Sequence, residues 1–242
     1  MSPRAHIDVR DLTRIAVFAA IIAVLGLPAP ISVFGGAVPI TAQTLGVMLA
    51  GAILGSWRGA AAVTTFLVLV AVGLPLLSGG HGGIGVFVGP TAGYLFGWIV
   101  GAFVTGAVVH PSMRAAARGN LRRPSWARIA LGCVIGGILV VYTFGIPVSA
   151  FVTGLPLPQM ALGSLVFVPG DLIKAAVATI VTLVLWRAYP QAVRPRTTDA
   201  ATRVAAVSAA TETSDSAHPD SAGPEGAHPD SAHQDTSPAG AE

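Results

Sequence analysis

Between residues 15 and 186 the chain is almost uninterruptedly apolar, yet that stretch holds one acidic residue, Asp171, and the only lysine of the protein, Lys174. A tract of this length leaves too little polar surface to clothe a water-soluble core. A membrane span takes about 20 mostly apolar residues, and the tract accommodates several. The composition agrees: 53% hydrophobic, 10% charged, 29 glycines. These values place the chain among polytopic membrane proteins. The predicted fold class is an all-α integral membrane bundle of six transmembrane helices, at 15–27 (lengthened by its amphipathic N-terminal turn), 40–54, 60–77, 90–109, 129–150 and 170–186.

The basic residues orient those spans. Arg4, Arg10 and Arg14 precede the first, and Arg58 lies between the second and third. Arg114, Arg118, Arg122, Arg123 and Arg128 fill or border the connection from the fourth to the fifth, and Arg187, Arg194, Arg196 and Arg203 follow the sixth. The connections 28–39, 78–89 and 151–169 carry no Lys or Arg. The positive-inside rule then puts both termini in the cytoplasm. The pI near 9.6 reflects this topology and contact with acidic lipid headgroups, not nucleic-acid binding. Trp57, Trp126 and Trp186 suit an interfacial belt on the cytoplasmic side.

The expected organisation is a cytoplasmic segment 1–14, a membrane domain 15–187 and a low-complexity tail 188–242. The tail is built of Ala, Thr, Ser, Pro, Asp and Glu, with AHPDSA at 217–222 repeated at 227–232. Such a composition cannot bury enough apolar surface to fold, so the tail is read as disordered. Cys133 is the single cysteine, which excludes a disulfide framework and a thiolate metal site. No metal centre is expected. The apolar N-terminus is read as a helix, not a cleaved signal, because no small-residue cleavage site stands out and further spans follow.

Polar side chains gather at one depth. Pro39, Pro90 and Pro169 each stand where a helix begins at the outer face, a position that tolerates a missing N–H. They are followed by Thr41, Gln43 and Thr44, by Thr91 and Tyr94, and by Asp171 and Lys174. Thr91 and Tyr94 share a helix face at i, i+3, as do Asp171 and Lys174. Thr41, Gln43 and Thr91 either cap helices and bond between them or line a site. Asp171 and Lys174 either neutralise each other as a structural pair or meet a ligand. An ionisable group in a span costs about 2.5–3.5 kcal/mol even on lenient scales, which argues for a use. The macrodipole favours Asp171 near a helix start and does nothing for Lys174, so the lysine calls for an anion.

Residues 79–90 read GGHGGIGVFVGP. No strand–turn–helix context makes this a nucleotide loop. Glycines permit sharp turns and close backbone approach, so the segment is either an external turn or a lid dipping into the bundle. Behind it Gly89, Gly93, Gly97 and Gly101 repeat every fourth residue, giving one small face for close helix contact. Ala16 and Ala20 form a similar pair on the first helix. There is no Walker A sequence, so the chain is not itself an ATPase, and no nucleophile–base arrangement marks it as an enzyme. The residues alone thus give a six-helix protein with an outward-facing site for a small anionic molecule.

Four stretches carry a resemblance: VPITAQTLGVMLAG at 38–51, GLP at 73–75, GGIG through GPTAGYL at 82–95, and PGDLIK at 169–174. In this combination and order the chain resembles the BioY family, the biotin-binding S components of energy-coupling factor (ECF) vitamin transporters, over about 14–186. Ala92 departs from the family's frequent second glycine. The resemblance implies biotin as transported ligand, with no cofactor. Asp171 would accept from a ureido N–H, and Lys174 would meet the carboxylate or a carbonyl. Tyr94, Thr91 and Gln43 would make further contacts, with Gly83 and Val86–Val88 as lid and wall. It further implies a T component and ABC-type ATPases as partners, docking at Ala16 and Ala20, in a bacterial plasma membrane. An S component for another vitamin and a stand-alone biotin carrier are the alternative readings.

Overall fold

The computed structural model describes residues 9–27, 41–119 and 123–189, and all regular structure among them is helical. The chain runs through α1 (Val9–Val24), α2 (Gln43–Leu54), α3 (Ser56–Ala71) and α4 (Ala92–Ala117). It continues as α5 (Trp126–Val134), a π-helical turn (Ile135–Val140) and α6 (Val141–Thr153), one continuous rod. Then come α7 (Leu157–Ser164), a short 3-10 turn and α8 (Val168–Ala188). The expected tail lies outside the described residues from 190 onward, as does Pro39.

Three of the described helical runs are long and apolar enough to cross a membrane: Ala92–Ala117, Trp126–Thr153 and Leu157–Ala188. The earlier helices are shorter. The 12 residues of α2 rise only about 18 Å, against a hydrocarbon core of about 30 Å. Among the described residues the first helix runs Val9–Val24, so the amphipathic turn before residue 15 is helical, with Asp11 in its first turn where the macrodipole favours an acid. The stretch 151–169, expected as a connection, contains α7. Its two prolines do not prevent the helix: Pro156 stands at the N-cap and Pro158 in the first turn, where fixed φ and a missing N–H are harmless.

The small face of α4 packs as its spacing predicts. Gly93 lies against Phe144 and Val148, Gly97 against Val141, and Gly101 against Gly136, so that α4 meets α6 and the π turn backbone to backbone. Gly89 precedes the helix and takes no part. Between α2 and α3 the chain turns at Gly55, whose φ of +91° belongs to a region L-residues rarely enter. The corner is wedged against Gly106 of α4. One apolar core gathers around Ile22, Val63, Phe66 and Trp98, a second around Met48, Met113, Ile129 and Cys133. The starts of α2, α4 and α8 lie at one end of this bundle.

Candidate functional site

At that end opens a cavity of about 350 Å³, within the range of about 300–1,000 Å³ usual for small-molecule sites. One wall is the start of α8, which carries Asp171 and Lys174. Asp171 is buried, only 5% exposed, and Lys174 Nζ donates to its Oδ1 at 2.8 Å. Lys174 also donates to Thr44 Oγ1 of α2 at 3.1 Å, and Thr44 Oγ1 donates to Asp171 Oδ1 at 3.5 Å. From α6, the Tyr142 hydroxyl donates to Asp171 Oδ2 at 2.6 Å, a charge-assisted bond of short length. Three helices therefore meet on one carboxylate.

The opposite wall comes from α4. Thr91 stands at its N-cap position but makes no side-chain cap bond, and its side chain borders the cavity. Tyr94 is buried, with its hydroxyl 3.3 Å from Ser164 Oγ of α7 and its ring edge-on to Tyr142, centroids 6.1 Å apart. Trp98 and Leu95 extend the wall inward as apolar surface.

Gln43 also borders the cavity, but its amide is spent on the protein. It is 1% exposed. Its Nε2 donates to Leu76 O at 3.0 Å and Ile22 O at 3.4 Å, and its Oε1 accepts from Ser78 N at 3.1 Å. One side chain thus fastens the end of α1 and the chain after α3 to the start of α2.

The glycine-rich segment supplies the rim. It turns through a 3-10 helix, Ile84–Phe87; Val86 lines the cavity, while Val88 points away and is 77% exposed. Gly83 is not on the cavity wall. Its φ of +87° makes a turn, and its N–H donates to Val70 O at 2.7 Å. Ser78 and His81 border the cavity instead. So Asp171, Lys174, Tyr94, Thr91, Gln43 and Val86 come together, and Gly83 stands behind them. Ala16 and Ala20 lie elsewhere, exposed on α1.

Tyr142 was not singled out from the sequence, and Thr44 was named only among the polar residues that follow Pro39, not as a site residue. A tyrosine in the middle of an otherwise apolar span, away from either interface, was the available signal for Tyr142.

The arrangement suits a neutral, hydrogen-bonding ligand group. The ion pair cancels its own charge, and Lys174 has three donors, two of them used above. A carboxylate has more acceptor sites than Asp171 spends. The site thus offers one donor and one acceptor side by side at the end of an apolar slot.

A family model described as the BioY family matches residues 1–191. A protein of Rhizobium etli named "Biotin transporter BioY" is 51% identical over 181 residues, which cover 75% of this chain and 95% of the relative. A protein of Thermotoga maritima with the same name is 36% identical over 72% of this chain and 94% of its own. Among solved structures, that of an S-component for biotin from an ECF-type ABC transporter superposes with a TM-score of 0.67 at 31% identity. That match covers 77% of this chain and 95% of that one.

Proposed function

We propose that this chain, which belongs to the BioY family, is the biotin-capturing S component of an ECF-type uptake transporter. The observation that carries this reading is the Asp171–Lys174 pair, joined at 2.8 Å on the wall of an otherwise apolar cavity. Biotin offers a ureido ring with N–H and C=O side by side, an apolar thiophane ring and a valerate chain. Asp171 accepts from the ureido N–H, and the remaining N–H of Lys174 meets the adjacent carbonyl. Tyr94, Trp98 and Val86 face the thiophane ring. Thr91 contributes a hydroxyl at the wall, and Gln43 holds the rim.

The chain crosses the bacterial plasma membrane six times, with both termini in the cytoplasm and the cavity facing outward. The distribution of Arg supports this orientation. So do Trp57 and Trp126, exposed at the starts of α3 and α5, the bundle end away from the cavity. Loaded with biotin, the protein docks through Ala16 and Ala20 on a T component driven by two ATPases. It catalyses no reaction of its own.

Equilibrium binding of labelled biotin to the purified chain in detergent tests the reading, with Asp171→Asn and Lys174→Ala alongside. Tight binding by the wild type that both substitutions weaken is the expected result. A folded wild type that binds no biotin refutes it.

A further inference from the structure

The two oxygens of Asp171 are held from opposite sides. Oδ1 takes Lys174 and Thr44, and Oδ2 takes the Tyr142 hydroxyl at 2.6 Å. A carboxylate turns through a broad, shallow torsion about its last bond, so contacts at one oxygen leave its plane free. A donor at the second oxygen fixes that plane.

Regular α-helix does not put Tyr142 in this place. It sits directly after the π-helical turn Ile135–Val140, where the chain accommodates one residue more than an α-helix would. That residue turns everything downstream by about 100°. Gly136 and Gly137 occupy the widened turn, and a Cβ on either would collide with Thr105 or Met48. Such bulges are rare and concentrate at functional sites. The Tyr142 ring is then steadied by Tyr94, edge-on at 6.1 Å. Gly145, one turn further along α6, leaves the space in which the Tyr94 ring lies.

We infer that Tyr142 is a positioning residue for ligand capture: aimed by the π turn, it fixes the carboxylate plane of Asp171 so that a free lone pair faces the ligand's N–H. The Tyr142 ring also lines the cavity, but its hydroxyl is spent on Asp171, and the hydroxyl's contribution to affinity passes through that carboxylate. The binding test rests on the biotin reading above; a second, ligand-free test does not.

The experiment is a double-mutant cycle on the full chain, comparing biotin affinity in wild type, Tyr142→Phe, Asp171→Asn and the double variant. Loss of a hydrogen bond to a charged group predicts a weakening of about tenfold or more for Tyr142→Phe in the wild type. If Tyr142 acts through Asp171, the same change costs less than about twofold in the Asp171→Asn background. Equal losses in both backgrounds overturn the inference, as does no loss in either. In the ligand-free protein, isotope-edited infrared spectroscopy identifies the Asp171 carboxylate band as the one that Asp171→Asn removes. That band shifts in Tyr142→Phe if the inference holds, and an unshifted band overturns it even where Asp171→Asn binds too weakly for the cycle.

Discussion

Asp11 and Arg58 form an ion pair, Arg58 Nη2 to Asp11 Oδ2 at 3.0 Å, that ties the first turn of α1 to the first turn of α3. The partners are unequally buried: the Asp11 side chain is 7% exposed and that of Arg58 35%. The helix that carries Ala16 and Ala20 is thereby anchored at the end away from the cavity, while Gln43 holds its other end.

The inequality predicts an asymmetry. Arg58→Ala removes a cation from beside a buried carboxylate, a strongly destabilising kind of change when both partners of a pair are buried. With Arg58 one-third exposed, solvent screening reduces the loss to about 1–2 kcal/mol. Asp11→Asn leaves an arginine that extends into water along its own stem, and costs less than about 1 kcal/mol. Thermal unfolding of the two variants in detergent orders them, and equal or reversed losses contradict the burial argument.

Gln43 makes three hydrogen bonds while almost wholly buried. Gln43→Leu keeps much of the volume and removes the amide's hydrogen bonds to Leu76 O, Ile22 O and Ser78 N–H. Each lost bond costs about 0.5–1.5 kcal/mol. The expected signature is local: faster amide exchange at Ser78 and along the glycine-rich rim, with α5 and α6 unchanged. Uniform loss of protection throughout the bundle would mean that the side chain supports the whole core instead.

Gly145 and Gly163 give a matched comparison. A Cβ at Gly145 would overlap the Tyr94 ring, whereas one at Gly163 meets nothing within 4 Å. Gly145→Ala should lower stability by about 1–3 kcal/mol through overpacking and weaken biotin binding by displacing Tyr94. Gly163→Ala, in the helical α7, should be neutral or stabilising by up to about 1 kcal/mol. Melting temperature and biotin affinity measured on both variants decide the matter.

What the sequence made legible follows from cost. Asp171 and Lys174 stand out because ionisable groups in an apolar tract are expensive, and Thr91 and Tyr94 because a proline and a helical spacing set their depth. Tyr142 was hidden by the π turn, since a single extra residue defeats any reading by α-helical periodicity. Thr44 looked like one more polar residue near a helix start, and its partners lie 127 and 130 positions along the chain. Helix α7 lies in a stretch read as a connection because it carries no Lys or Arg, a charge signal that says nothing of local helix, and its prolines sit where a helix tolerates them. Gly83 drew notice as part of a glycine run. Its positive φ shows a turn-forming task, and the cavity rim falls to Ser78 and His81.

The exposed face of α1 yields the prediction that separates capture from transport. Ala16 and Ala20 are solvent-accessible in the isolated chain, and on the buried side of the same helix lie Ile15, Ala19 and Ile22. Small residues four apart let another helix approach closely, so Ala16→Trp should block docking on the T component without entering the core. Neither residue borders the cavity. Biotin affinity of the Ala16→Trp variant in detergent is therefore expected to match the wild type. Uptake by cells producing the T component and ATPases should fall at least about tenfold, the equivalent of about 1.4 kcal/mol of lost docking energy. Normal uptake would exclude this face as the docking surface, and impaired binding would mean that α1 shapes the cavity, through the bond of Gln43 to Ile22 O.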